Sequence, residues 1–154
     1  MQCGTAMTAS REDWPYAGLP GVVLRGVTVY RCPTCGEFEV EIPRVTELHQ
    51  MLAAAIVAKR SGLVHQEVRF LRNFLLWQAE ELAQHMGVSA ETVARWEVGT
   101  EPMEPVADRL LRLLVASRLP ASLPPIETVA HISDDRTPLA LEVRAESNGW
   151  REAA

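Results

Sequence analysis

The sequence predicts an α+β fold, a small β-rich module followed by a mainly helical domain, on three observations. β-Branched and aromatic runs crowd residues 21–42, apolar residues recur at helical spacing from Glu67 to Ser117, and Pro43 divides the two patterns. With 154 residues, 47% of them hydrophobic, the chain has material for one compact domain or two small ones.

In the first module the strand-like runs are Val22-Val23-Leu24, Val27-Thr28-Val29-Tyr30 and Phe38-Glu39-Val40-Glu41-Ile42, with glycine or proline between them. Residues 1–43 are therefore taken as the β-rich module, with the Cys32–Cys35 turn at its tip. Val45, Leu48, Leu52 and Ile56 then repeat at a helical period, and Lys59-Arg60 precede Gly62, which predicts a connecting helix within 44–66. Residues 67–118 read as helical throughout, until Pro120, Pro124 and Pro125 break the pattern. In the tail, 119–154, Ile126, Thr128, Ala130 and Ile132 alternate, as do Leu139, Leu141 and Val143, so a β-hairpin about Asp134-Asp135 is expected, with Thr137-Pro138 trimming its second strand.

Bulk properties narrow the function classes. No apolar run approaches the roughly 20 residues that span a bilayer, and the N-terminus lacks the basic-then-apolar order of a secretory signal. A cytoplasmic protein with no membrane role is expected. Net charge is −5, and residues 67–118 carry six arginines against eight acids. A polyanionic partner would thus need a local basic face. Lys59 is the sole lysine, so nearly all positive charge is guanidinium, which suits bidentate recognition.

The segment from Ala79 to Val98 meets the steric demands of two short helices packed at a tight turn. Ala83 is small where the helices approach, Gly87 supplies a left-handed turn residue, and Val88 follows as a buried turn residue. Ser89 is an N-cap, Val93 and Trp96 point inward with Leu82 and Met86, and Gly99 is a stop. Phe70, Phe74 and Leu75 upstream, with Leu110, Leu111 and Leu114 downstream, are placed to close the core. These offsets, and the strings Glu80-Glu81-Leu82-Ala83, Gly87-Val88-Ser89 and Arg95-Trp96-Glu97-Val98-Gly99, resemble the Xre/Cro-type helix-turn-helix family over about a third of the chain. The resemblance implies double-stranded operator DNA as partner, with Ala90, Glu91 and Arg95 facing base edges. Arg95 would fork onto guanine, while Glu91 accepts from cytosine or pairs with Arg95 one turn away. Ser89 and Thr92 are candidates for phosphate contacts. The family usually opens the first of these helices with glutamine against a phosphate; here Ala79 stands there, and Gln78 is the substitute one position earlier.

Cys32-Pro33-Thr34-Cys35-Gly36 has the form of a metal knuckle, in which turn amides point at two sulfurs. Cys3-Gly4 looks like the end of a second one, so Cys3, Cys32 and Cys35 are candidate zinc ligands. A closed zinc site needs four. The missing cysteine is expected before Met1, in a chain that starts earlier; a degenerate knuckle held by the sheet alone, or a histidine as fourth ligand, are the alternatives. Two such knuckles ahead of an Xre-type domain resemble the MqsA (YgiT-type) antitoxin family. That resemblance implies zinc, an N-terminal module that binds a RelE-like toxin, and a homodimer that represses its own operon. Family members often carry asparagine where Glu91 stands, so a different operator is expected. A homodimer is also expected on charge, since a net-negative domain inserting one short helix binds DNA weakly, and half-sites about 34 Å apart would double its contacts. The helix from about Pro105 to Ser117, with Leu110, Leu113 and Leu114, is the expected seam, unless those leucines are core.

No enzyme is expected. Three thiolates could mimic a catalytic zinc with an open position, yet no Glu-bearing metalloenzyme motif accompanies them, nor does a phosphate loop, a Gly-x-Ser-x-Gly elbow or a dinucleotide fingerprint. A thioredoxin-like pair would need a βαβ context, and Glu37, Glu39 and Glu41 read as one solvated strand face. A free-standing Xre-type regulator, whose N-terminal module binds another protein or an effector, is the alternative to the antitoxin.

Overall fold

The computed structural model describes residues 3–120 and 126–153, and its architecture is α+β, as the sequence predicts. Met1, Pro124 and Pro125 lie outside the described residues, as do the side chains of Ile126 and Thr128. In chain order the elements are β1 (Thr8–Pro15), β2 (Val22–Arg31), β3 (Phe38–Glu41), α1 (Val45–Ala58), α2 (His65–Phe74), α3 (Ala79–Met86), α4 (Ala90–Val98), α5 (Pro105–Ala116), α6 (Ile126–Ala130), β4 (Leu141–Glu146) and β5 (Gly149–Glu152). They form two compact units. One contains the chain up to Tyr16, Gly21–Leu48 and the chain from Ala140; the other contains Ala17–Pro20 and His49–Leu139.

The first unit is a sheet centred on β2. Antiparallel β1 lies along one side of it; on the other side antiparallel β3 pairs with Thr28–Arg31 and parallel β4 pairs with Val22–Arg25. β5 closes a hairpin on β4. The two apolar runs separated by Gly26 are thus one strand. Val22 and Leu24 are buried, and after the glycine the buried positions are Val27 and Val29. One extra residue has changed the parity of the alternation. The pairing with β1 slips at this point, Gly26 is left-handed (φ 64°), and its amide donates to Asp13 Oδ1 at 2.9 Å. That is a bulge, and it keeps the apolar side of a ten-residue strand on one face.

Three boundaries differ from the sequence reading. The β-rich unit is not confined to 1–43, because β4 and β5 complete its sheet. The hairpin is not at Asp134-Asp135: residues 126–130 are helical and the hairpin turns at Ser147-Asn148. Thr137-Pro138 and the Asp135 turn instead serve the helical unit, where Gly62 N donates to Asp135 O (2.7 Å) and Lys59 Nζ and Ser61 Oγ donate to Thr137 O. The connecting helix stops at Ala58, and α2 already begins at His65.

The helical unit is organised by buried charge as well as by apolar side chains. Leu52, Ile56, Leu71, Leu82, Val93 and Leu111 are fully buried, each contributing roughly 1.5–3 kcal/mol of transfer free energy. Phe70, Phe74, Leu110 and Leu114, expected in the core, are only half-buried. α1 carries no basic residue in its last turn, so its C-terminal carbonyls lack an intrahelical cation. Arg112 of α5 supplies it. Its guanidinium, 0% exposed, donates to the carbonyls of Ile56, Val57, Lys59 and Ser61 while Nε meets Asp108 Oδ1 at 2.6 Å. Asp108 Oδ2 in turn accepts from Leu63 N at 2.9 Å. Nearby, buried Glu67 takes Lys59 Nζ (2.5 Å), Val64 N (3.0 Å) and Leu139 N (2.8 Å).

Removing one partner of such a buried pair leaves the other charge uncompensated. Arg112→Leu is therefore expected to lower the unfolding free energy by about 3–5 kcal/mol in urea titrations. A loss under about 1 kcal/mol, the scale of an exposed pair, would show that the guanidinium is not the cap of α1.

Candidate nucleic-acid interface and cysteine cluster

The chain from α3 to α4 is built by three local devices. Gly87 is left-handed (φ 70°) and lets the backbone return on α3, so that Val88 N donates to Ala83 O at 3.0 Å. Ser89 then caps α4, its Oγ accepting from Thr92 N at 3.1 Å. Left-handed Gly99 (φ 86°) ends the helix. Ala83 and Trp96 are buried, whereas Met86 and Val88 are half-buried.

The sequence reading missed what holds α4 in place. Glu97, nearly buried on α4, receives both Nε and Nη2 of Arg72 from α2 at 2.8 Å, and Arg69 Nε lies 3.4 Å away. Arg72 Nη1 also donates to Trp77 O, in the α2–α3 connection, at 3.0 Å. This forked pair joins α2, the loop and α4, and the hydrogen bonds that Arg72 donates to Glu97 raise the Arg72 pKa above its ordinary value. The two residues lie 25 positions apart, so no local pattern announces them.

Of the predicted reading residues, Glu91, Arg95 and Ser89 are exposed, while Ala90 and Thr92 are half-buried at the start of the same helix. Gln78 is exposed at the N-cap of α3, where Glu81 Oε1 accepts from its backbone amide at 3.3 Å. One expectation is corrected. Arg95 pairs with Glu101 rather than with Glu91: Nε lies 3.1 Å from Glu101 Oε2, and Nη2 donates to Thr92 Oγ1 at 3.3 Å. The turn at Gly99 explains the choice. The amides of Gly99, Thr100 and Glu101 all point at Arg95 O (3.1, 3.2 and 3.4 Å), which folds the Glu101 carboxylate back alongside the arginine. Ser89, Thr92, Arg95 and Glu101 thus form one hydrogen-bonded chain along α4, with Ser89 Oγ and Thr92 Oγ1 2.9 Å apart.

The three cysteines converge in the sheet unit. Immediately after β2, Cys32 N donates to Glu37 O (2.8 Å), Gly36 N to Cys32 O (3.1 Å) and Cys35 N to Cys32 Sγ (3.5 Å), with Gly36 left-handed. Gly4, after Cys3, is left-handed as well. All three Sγ atoms lie within 4.8 Å of one another, and Cys3 and Cys32 are 3.3 Å apart. Thiolates at about 2.3 Å from one tetrahedral ion would be separated by about 3.8 Å, so the donor set and its spacing fit a thiophilic cation. Among the described residues no fourth histidine, cysteine or carboxylate joins the group. Hydrogen bonds from the Thr5 side chain and backbone, then from Cys32 and Cys35, lower the Cys3 thiol from 9.0 to about 6. At Cys35 the Glu37 backbone pulls downward, but Cys32, partial desolvation and Cys3 outweigh it and the thiol is raised.

Residues 68–114, from the first turn of α2 into α5, match the Helix-turn-helix family model, in agreement with the Xre-type reading of this region. The match stops short of the cysteine cluster. No curated protein and no solved structure gives a significant match.

The depressed Cys3 thiol has a direct kinetic consequence, because the thiolate is the nucleophile. In metal-free protein, alkylation of Cys3 by iodoacetamide is expected to rise through about pH 6, followed by peptide mass analysis. A midpoint near the ordinary 9.0 would show that Thr5 does not hold the thiolate.

Proposed function

We propose that this protein is a sequence-specific DNA-binding transcriptional regulator, the antitoxin and autorepressor of a toxin–antitoxin pair. The observation that carries the DNA-binding part is the rigid presentation of α4: a capped, glycine-terminated helix, clamped from behind by Arg72–Glu97, with Glu91 and Arg95 exposed on the opposite side. Arg95 forks onto guanine O6/N7 and Glu91 accepts from cytosine N4, while Ser89, Thr92 and Gln78 contact phosphates and set the register. Ala90 is small enough to let the backbone approach a base edge.

Homodimerisation is supported by α5. Val106 is 77% and Leu113 37% exposed, and half-buried Leu110 lies between them on the same face at helical spacing. The sheet unit supplies the second half of the proposal. Cys3, Cys32 and Cys35 would hold zinc, which when bound would cross-link the segment before β1 to the end of β2. On the same unit the Trp14 and Phe38 rings meet at 5.3 Å, tilted by 51°, with Arg31 over both, and Phe38 is 51% exposed. Exposed aromatic residues with an arginine are the side chains that anchor protein interfaces, which supports a docked partner, in this reading a RelE-like toxin. A free-standing regulator whose module binds a different protein accommodates the same surface, and co-purification with a small basic toxin separates the two.

Arg95→Ala is expected to cost about 1–3 kcal/mol at the cognate operator and to relax preference at one base pair per half-site. Ser89→Ala should instead weaken all sequences alike. Competition binding at fixed salt against single-base operator variants reads both; full wild-type preference in Arg95→Ala would exclude it as the reader. For the dimer, Val106→Glu should shift sedimentation at micromolar concentration to the monomer and lower operator affinity. A Val106→Glu protein that remains dimeric would remove α5 as the seam.

A further inference from the structure

A cavity of about 220 Å³ lies within the helical unit, beside the C-terminal end of α4. Val68, Trp96 and Met103, all buried, give it an apolar wall. The polar groups lining it are His65, Glu101 and Arg136. Arg136 is already committed, since Nη1 donates to Leu63 O (3.1 Å) and Nη2 to Met103 O (2.8 Å). It stiffens the wall and is not a ready anion site. His65 packs against Gly99, where an added Cβ would meet its Nδ1 at 3.1 Å. Glu101, half-exposed, is the acidic residue among those lining it, and its carboxylate holds Arg95. An engineered cavity of about 150 Å³ takes a benzene ring, so this one has room for a ring and a short arm.

We infer that this cavity binds a small organic cation, an aromatic ring on a short primary amine, whose ammonium takes Glu101 and so releases Arg95 for DNA. The inference rests on Arg95 being the base-reading residue. Two cations then compete for one carboxylate. Arg95 must leave Glu101 to fork onto guanine, and without a substitute cation the vacated, solvated carboxylate adds one negative charge that opposes a polyanion. The amine supplies that cation, so the sign of the coupling is positive. By linkage, operator DNA raises amine affinity by the same factor that the amine raises operator affinity.

The probe is 2-phenylethylamine, with neutral 2-phenylethanol as its isostere, on the full chain. Calorimetry without DNA is expected to show millimolar or tighter binding of the amine, clearly weaker binding of the alcohol, and loss of the amine's advantage in Glu101→Gln. Circular dichroism checks that this variant, altered outside the helices, folds like the parent. The ¹⁵N signal of Arg95 Nε should move on amine addition, which reads its release without any DNA. In operator competition the amine should raise affinity about fivefold or more in the parent and leave Glu101→Gln unmoved. Equal binding of amine and alcohol, no binding at millimolar concentration, or an unmoved Arg95 signal would overturn the inference. So would bound amine that leaves operator affinity unchanged. If no operator is bound under any condition, the DNA-reading role of Arg95 fails instead, while calorimetry and the Arg95 signal still judge the cavity.

Discussion

The Arg112 guanidinium is the contact on which the rest of the helical unit depends. It gathers the carbonyls at the end of α1 and of the following loop, and through Asp108 it orders Leu63 N just ahead of α2. Burying an arginine and an aspartate costs several kcal/mol per ion, offset only if nearly every hydrogen-bonding site is filled. Here the fork is filled by backbone carbonyls, groups that any sequence at 56–61 would present. The specificity of the arrangement therefore resides in α5, while residues 56–61 need only present their backbone. α2 leaves this anchor with its start defined, and the Arg72–Glu97 pair carries that definition into α4. The line from Arg112 to Arg95 thus runs through two buried ion pairs and one helix.

Most of the α3–α4 region could be read from the sequence because its constraints are local. Gly87 and Gly99 take left-handed φ, Ser89 caps, and Ala83 is small where two helices meet; each demand falls on one residue at a set offset. The preceding break could not be read that way. No glycine or proline separates α2 from α3, and the turn is made by Leu76 at φ 60°, 89% exposed. A left-handed leucine costs about 1–2 kcal/mol, so the helix ends there because tertiary structure requires it. Arg72 donating to Trp77 O is part of that requirement.

The sheet shows the same division. β2 and β3 announce themselves by apolar alternation, whereas β1 (Thr8–Pro15) is largely polar because it is an exposed outer strand. Charged residues on such an edge also discourage pairing with other chains. β4 pairs in parallel with β2 across more than a hundred residues of sequence, a relation that no local pattern encodes. The tail was misread for a related reason. Alternation at Ile126–Ile132 mimics a strand, but residues 126–130 are helical and the segment beyond them supplies the Thr137 carbonyl to both Lys59 and Ser61.

Net charge is the strongest sequence argument against a DNA partner, and the buried ion pairs leave it nearly as it stands. Among the eight acids of residues 67–118, Glu67, Glu97 and Asp108 are buried and neutralised by Lys59, Arg72 and Arg112, so they contribute little to the field outside. Glu101 is held by Arg95, and Glu81 accepts from the amide of Gln78. The buried pairs withdraw Arg72 and Arg112 together with their acids, so four arginines of residues 67–118 still stand against five acids. What a phosphate meets is that remainder, in which acids still outnumber arginines. In the proposed function, affinity per subunit would then come from geometry more than from charge, through a few well-oriented donors on α4 and, in the proposed homodimer, a second copy that doubles them. A regulator working as proposed would give up tight non-specific binding, whose main source is phosphate neutralisation, and would retain discrimination at base edges.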